Sequence, residues 1–176
     1  MDEQKALRSI RGAQNRAAGL AFEGVIEASL KWYEAKGLAG IEKTPEPMKP
    51  LRKPNARGQF LACYTKSAQP DFEGTLLGGR SVIFDAKHTT ADRIEYKALS
   101  KEQADRLELH HKLGAHAFVV VAFDMEDFYR IPWPNFRDMK QIFGRKYIKR
   151  LECEDREVAY PLPYMAGVLK LLEGLR

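Results

Sequence analysis

The chain has 176 residues, 44% of them hydrophobic and 30% charged, which suits one globular domain of roughly 100–200 residues. It has no run of about 18 apolar residues, and its two cysteines, Cys63 and Cys153, are far apart without CxxC spacing, which excludes a transmembrane helix, a cysteine zinc site and a disulfide framework. Lys and Arg number 29 against 24 Asp and Glu, a net +5 that makes a polyanion partner plausible.

The polar start MDEQKALRSIRGAQNR carries no secretory signal, so a reducing cytoplasm is the expected compartment. Phe22, Val25, Ile26, Ser29, Leu30 and Tyr33 recur at helical spacing, predicting a helix over residues 4–36 that ends at Gly37. PEPMKPLRKPN follows at residues 45–55. Its four prolines forbid a helix or a central strand, and its Lys49, Arg52 and Lys53, with Arg57 beyond, make it a basic extended arm. QFLACYTK, residues 59–66, reads as a strand.

DFEGTLL and SVIFDAK flank Gly78-Gly79 and predict a hairpin over residues 71–87. A helix is expected from Leu99 to Leu113, opening on the capping-box residues Ser100 and Gln103. HAFVVVAF, residues 116–123, predicts a strand covered on both faces, and DFYRIP, residues 127–132, the next strand. A short helix near residues 134–141 and a C-terminal helix near 163–174 complete the pattern. Strands and helices mixed in this way imply an α/β or α+β domain with a small central sheet.

The chemistry concentrates at VIFDAK. Strand alternation puts Ile83, Asp85 and Lys87 on one face and His88 on the other. Asp71 opens the partner strand, so the hairpin brings two carboxylates to one surface. Two carboxylates and a backbone carbonyl form a hard-oxygen pocket, which Mg²⁺ prefers. An adjacent lysine can orient water or neutralise charge on a phosphate. The competing reading is a structural ion pair between Asp85 and Lys87. Gln103 can serve the helix cap or the site, not easily both. His110 and His111 are neighbours on a helix and make a poor metal pair. Trp32 and Trp133 read as core or interface aromatics, and both cysteines as small packed side chains.

Gln69-Pro70-Asp71, Phe84-Asp85-Ala86-Lys87 and Gln103 together resemble the PD-(D/E)xK nuclease core, and more narrowly the RecU-type Holliday junction resolvases. The resemblance extends in the family's order through GLAFEGVIE (19–27), KTPEP (43–47), YTKSAQPDFEG (64–74), EQADRL (102–107) and GRKYIKRLECEDREVAYPL (144–162). Where the family often has glutamate this chain has Asp85, and the superfamily admits either.

The resemblance implies a restriction-endonuclease-like α/β fold: a mixed central sheet flanked by helices, in one nuclease domain over residues 1–176. A projecting basic stalk would be inserted at about 43–70. Asp71, Asp85 and the Ala86 carbonyl would ligate Mg²⁺, with Mn²⁺ as a substitute. Lys87 would assist the attacking water, and Gln103 would contact the metal-water shell or the scissile phosphate. Glu23 would be at most a weak auxiliary ligand. Lys43, Lys49, Arg52, Lys53, Arg57 and Lys66 would hold or distort a four-way DNA junction, and Arg145 and Lys146 would clamp phosphates. A homodimer making paired cuts in branched DNA is expected, with no membrane association. The competitors are another nuclease of this fold that cuts linear duplex, and a non-catalytic DNA-binding protein.

Overall fold

A computed structural model describes residues 2–45, 48–64 and 69–175. Helix α1 spans Asp2–Ala35 and strand β1 Ala39–Lys43. Strands β2 (Met48–Pro50) and β3 (Ala62–Tyr64) pair as an antiparallel hairpin. Strands β4 (Phe72–Leu76), β5 (Ser81–Thr89) and β6 (Arg93–Glu95) precede a 3-10 turn at Tyr96–Ala98 and helix α2 at Lys101–Lys112. Next come β7 (His116–Phe123), β8 (Asp127–Pro132), α3 (Trp133–Arg137), α4 (Met139–Phe143) and β9 (Tyr147–Lys149). A second 3-10 turn, Arg150–Glu154, leads to the short strands β10 (Tyr160–Pro161), β11 (Tyr164–Met165) and β12 (Val168–Leu169).

Six strands form the main sheet in the order β1-β4-β5-β7-β8-β10. Among the described residues only β5 and β7 run parallel, and α2 supplies the crossover such a pair needs. The sheet separates two cores. On one face Phe22, Ile26 and Leu30 of α1 pack on Phe72, Phe84, Phe118 and Val120. On the other, Ala104 and Leu107 of α2 pack with Ile83, Val119, Val121, Trp133 and Phe136. The expected mixed α/β architecture is the one observed. Gly74 has no substitute at its place in β4, because a Cβ there would lie 2.1 Å from the Gly40 carbonyl oxygen of β1.

Three expectations are corrected. The strand expected over 59–66 is limited to Ala62–Tyr64 among the described residues; ahead of it, the Asn55 side-chain oxygen accepts the Arg57 and Gln59 N–H groups and closes a turn. The helix expected near 134–141 is two short helices that meet at Asp138.

The third correction is larger. No helix forms at 163–174. Ala166 and Gly167 both take positive φ, 50° and 78°, and turn β11 onto β12 as a two-residue hairpin. Side chains of α1 then take backbone donors that a helix would have used internally: Leu169 N–H donates to Ser29 Oγ at 2.8 Å and Leu172 N–H to the Tyr33 hydroxyl at 3.4 Å. The apolar spacing of Val168, Leu169 and Leu172 therefore reflects docking on α1.

Candidate metal centre and nucleic-acid surface

The β5 alternation is as the sequence predicts. Phe84 and Ala86 face α1, so Ile83, Asp85 and Lys87 face α2. In the β4–β5 ladder Phe72 pairs with Phe84 and Glu73 with Ile83. Extending that register by one residue sets Asp71 against Asp85. Asp71 is held there from two sides. Its carbonyl accepts the Thr44 N–H at 2.8 Å, and its Oδ2 accepts the Ala86 N–H at 2.9 Å. Within a strand the N–H and C=O of one residue point to the same side. The Ala86 carbonyl therefore faces the gap left where β4 has ended, beside both carboxylates.

Asp85 is fully buried, at 0% exposure. Its Oδ1 is ion-paired with Lys87 Nζ but takes no hydrogen bond. Its Oδ2 accepts from the Gln103 amide at 2.5 Å. Gln103 combines the helix cap with a hydrogen bond to Asp85, two contacts that seemed exclusive. Its Oε1 accepts the Ser100 N–H at 3.0 Å, completing the capping box, while its Nε2 donates to Asp85. A carboxamide can do this because its acceptor and donor are separate atoms. The helix cap therefore aims a donor at the buried carboxylate.

Burial, with the neighbouring Asp71 adding to it against the opposing Lys87, pushes Asp85 up to about 7. Burial likewise raises Asp71, against the pull of Lys87 and the Ala86 N–H. One buried carboxylate, Asp85, and one half-buried carboxylate, Asp71, share one lysine, and that excess of negative charge favours either a proton or a cation between them. The Asp85–Lys87 ion pair of the competing reading is present, but that single lysine serves Asp71 as well. The donors fit a hard divalent ion: two carboxylates, one of them with an oxygen, Asp85 Oδ1, that takes no hydrogen bond, and one strand carbonyl. Among the described residues no three His, Cys, Asp or Glu side chains converge. The set therefore resembles a site whose ion keeps several waters more than a closed zinc cage.

Glu23 lies close enough to raise Asp71 electrostatically, but its carboxylate accepts from Lys43 at 2.6 Å. Lys43 also pairs with Glu27 at 3.4 Å, so at the base of the arm, in β1, it is tied to α1. Lys49, Arg52, Lys53 and Arg57 are exposed in the hairpin, along with Phe60 and Leu61. Lys66 lies outside the described residues. Arg145 is ion-paired with Glu152 and stacks 4.6 Å from the Tyr147 ring, while Lys146 is exposed. Trp133 is core, its indole N–H donating to Glu108 at 2.7 Å. Cys153 is buried as expected, whereas Cys63 is exposed in the hairpin.

Sequence reasoning passed over Arg93, Glu95 and Lys97. They lie beside Lys87 because β6 pairs with β9, more than fifty residues away, and no local spacing announces that pairing. It also passed over Thr44, whose hydroxyl is buried and unpaired.

The sequence pattern of the family Recombination protein U matches residues 17–174. The Holliday junction resolvase RecU of Streptococcus pneumoniae is 26% identical, over 99% of this chain and 94% of its own length. That of Pediococcus pentosaceus is 25% identical over 89% and 85%. Among solved structures, the Holliday junction resolvase Hjc of Archaeoglobus fulgidus aligns with a TM-score of 0.47 and 14% identity, covering 76% of this chain and 90% of the other. The family match runs through α1, the hairpin, both aspartates, Lys87, Gln103 and β9, so the chain belongs to the Recombination protein U family.

Proposed function

We propose that this chain is a Mg²⁺-dependent endodeoxyribonuclease, able to use Mn²⁺, that resolves four-way DNA junctions. The observation that carries this reading is the pairing of half-buried Asp71 with fully buried Asp85, flanked by Lys87 and Gln103. When bound, a divalent cation supplies charge neutralisation at the phosphate and a lowered pKa for water.

The chain's own groups do the rest. Asp71, Asp85 and the Ala86 carbonyl hold the ion. Gln103 fixes the orientation of Asp85 by donating to one oxygen, which leaves the other for the ion and Lys87. Lys87, half-buried at the edge of the site, orients the attacking water and offsets charge developing on the phosphate. Glu23 is peripheral, restrained by Lys43. The hairpin cations Lys49, Arg52, Lys53 and Arg57, with Lys66, contact the junction, and Lys146 with Arg145 contacts phosphates. Residues 1–176 act as one nuclease domain with the arm inserted at about 43–70. The protein works as a cytoplasmic homodimer, each subunit making one of two paired cuts that leave 5′-phosphate and 3′-hydroxyl ends. Among the described residues no helix is long and apolar enough to cross a membrane.

The test is cleavage of a synthetic four-way junction beside linear duplex of the same sequence, with Mg²⁺ or EDTA, by wild type and Asp71→Asn. Symmetric Mg²⁺-dependent cutting of the junction alone, abolished in the variant, is the expected result. Equal cutting of both substrates would leave a nuclease without junction selectivity. No cutting by wild type in Mg²⁺, or in Mn²⁺ put in its place, would sink the enzymatic reading.

A further inference from the structure

Beyond Lys87 the active site continues into an open groove of about 310 Å³. Lys87, His88 and Thr89 of β5, Ala91, Arg93, Ile94 and Glu95 around β6, and Lys97 and Ala98 of the 3-10 turn form its walls. Within it two cations, Arg93 and Lys97, face a single carboxylate, Glu95, while Lys87 is paired with Asp85. Glu95 holds Arg93 and Lys97 in place. Its Oε1 accepts from Arg93 Nε and Nη2 at 3.3 and 3.0 Å, and its Oε2 pairs with Lys97 at 2.6 Å. Neither contact uses Arg93 Nη1.

The Arg93 guanidinium also lies 4.8 Å from the centre of the Tyr147 ring, and Arg145 lies 4.6 Å from the same ring. Tyr147 is thus contacted by two guanidinium groups, a contact that restrains Arg93 in addition to Glu95. Those contacts depend on β6 pairing with β9, where Glu95 stands opposite Tyr147. The result is a preorganised, net-positive groove that begins at the proposed catalytic lysine.

We infer that this groove seats the backbone phosphate next to the scissile one, with Arg93 and Lys97 as its donors, and so sets which bond of the strand reaches Asp71 and Asp85. The inference rests on the nuclease reading above. Phosphate contacts of this kind fix register without reading sequence. Glu95 keeps both cations oriented in the free protein and tempers their pull on unspecific polyanions. The incoming phosphate shares their donors.

The experiment replaces single phosphates on either side of the cut with neutral methylphosphonates in one strand of the junction. Cleavage rate in Mg²⁺ and binding in EDTA are measured for wild type, Lys97→Ala and Arg93→Ala/Lys97→Ala. For wild type, neutralising the adjacent phosphate should weaken binding about tenfold, the scale of one charge-assisted contact. The double variant should lose that much on unmodified DNA and nothing further on the methylphosphonate, and its cuts should spread to neighbouring bonds. Lys97 is 85% exposed along its side chain, so Lys97→Ala leaves the fold intact and should show part of the same effect. Equal methylphosphonate penalties in wild type and both variants would overturn the assignment, as would unchanged cut positions in them. Wild-type protein that shows the binding pattern in EDTA but cuts nothing in Mg²⁺ would refute the nuclease reading and leave the phosphate seat standing.

Discussion

Gln103 is the residue on which stability and chemistry meet. Gln103→Ala removes one half of the capping box, a loss of about 1 kcal/mol, and also leaves Asp85 Oδ2 without its donor. Gln103→Glu keeps an acceptor for the Ser100 N–H but places a third carboxylate beside Asp85. The two variants should therefore separate the roles. Alanine lowers both thermal stability and cutting, whereas glutamate keeps most of the stability and loses roughly 10–100-fold in metal affinity or rate. Circular dichroism melting and junction cleavage read the two effects.

Asp85 carries a pH signature of its own. Burial raises it to about 7, whereas an unfolded aspartate titrates near about 4. Between those values the folded chain keeps a proton that the unfolded chain has released, so stability falls as pH rises through this window. The contribution is fully present at acid pH and lost above the folded value. In EDTA, Asp85→Asn should therefore flatten the fall in melting temperature between pH 5 and pH 8. Added Mg²⁺ should raise the melting temperature of wild type more at pH 8 than at pH 5, because the ion needs both carboxylates ionised. An equal rise at both pH values would contradict the site.

At the scale of elements, the β2–β3 hairpin is separate from both cores: among the described residues none of the hairpin belongs to either apolar cluster. Replacing residues 48–63 with a short Gly-Ser link should leave the melting temperature within a few degrees of wild type and weaken junction binding. Unchanged binding would remove the arm from the interface. Substituting Lys49, Arg52 and Lys53 together by alanine should lower the slope of log K against log[salt] by up to about 0.9 for each lost phosphate contact. The arm was legible in the sequence because prolines and cations are local features. Its hairpin pairing was not, because β2 and β3 are only three residues each. The C-terminal segment shows the reverse failure. Its apolar residues recur at helical spacing, yet the partner that satisfies its backbone is α1, some 140 residues away.

Across the whole molecule Arg130 ties the last residues to the sheet. It is 3% exposed, its Nη1 donates to the Leu171 and Glu173 carbonyls at 2.9 Å each, and its guanidinium lies 4.9 Å from the Tyr160 ring. Arg130→Met should cost about 3 kcal/mol, from the loss of hydrogen bonds made by a charged donor. It should also expose the segment after Leu169 to protease; denaturant unfolding and limited digestion report each.

The β4–β5 hairpin, the alternation that places Asp85 with Lys87, the α2 cap and the central β7 strand were all determined by the sequence. Each depends on neighbours within a few residues or on a period of two, and such rules act before the chain folds. Three features were decided only by tertiary structure: the complete burial of Asp85, the two-way use of Gln103 and the groove that joins Arg93 and Lys97 to Lys87. Desolvation, shared donors and convergent charges depend on distances between segments remote in sequence, and packing sets those distances.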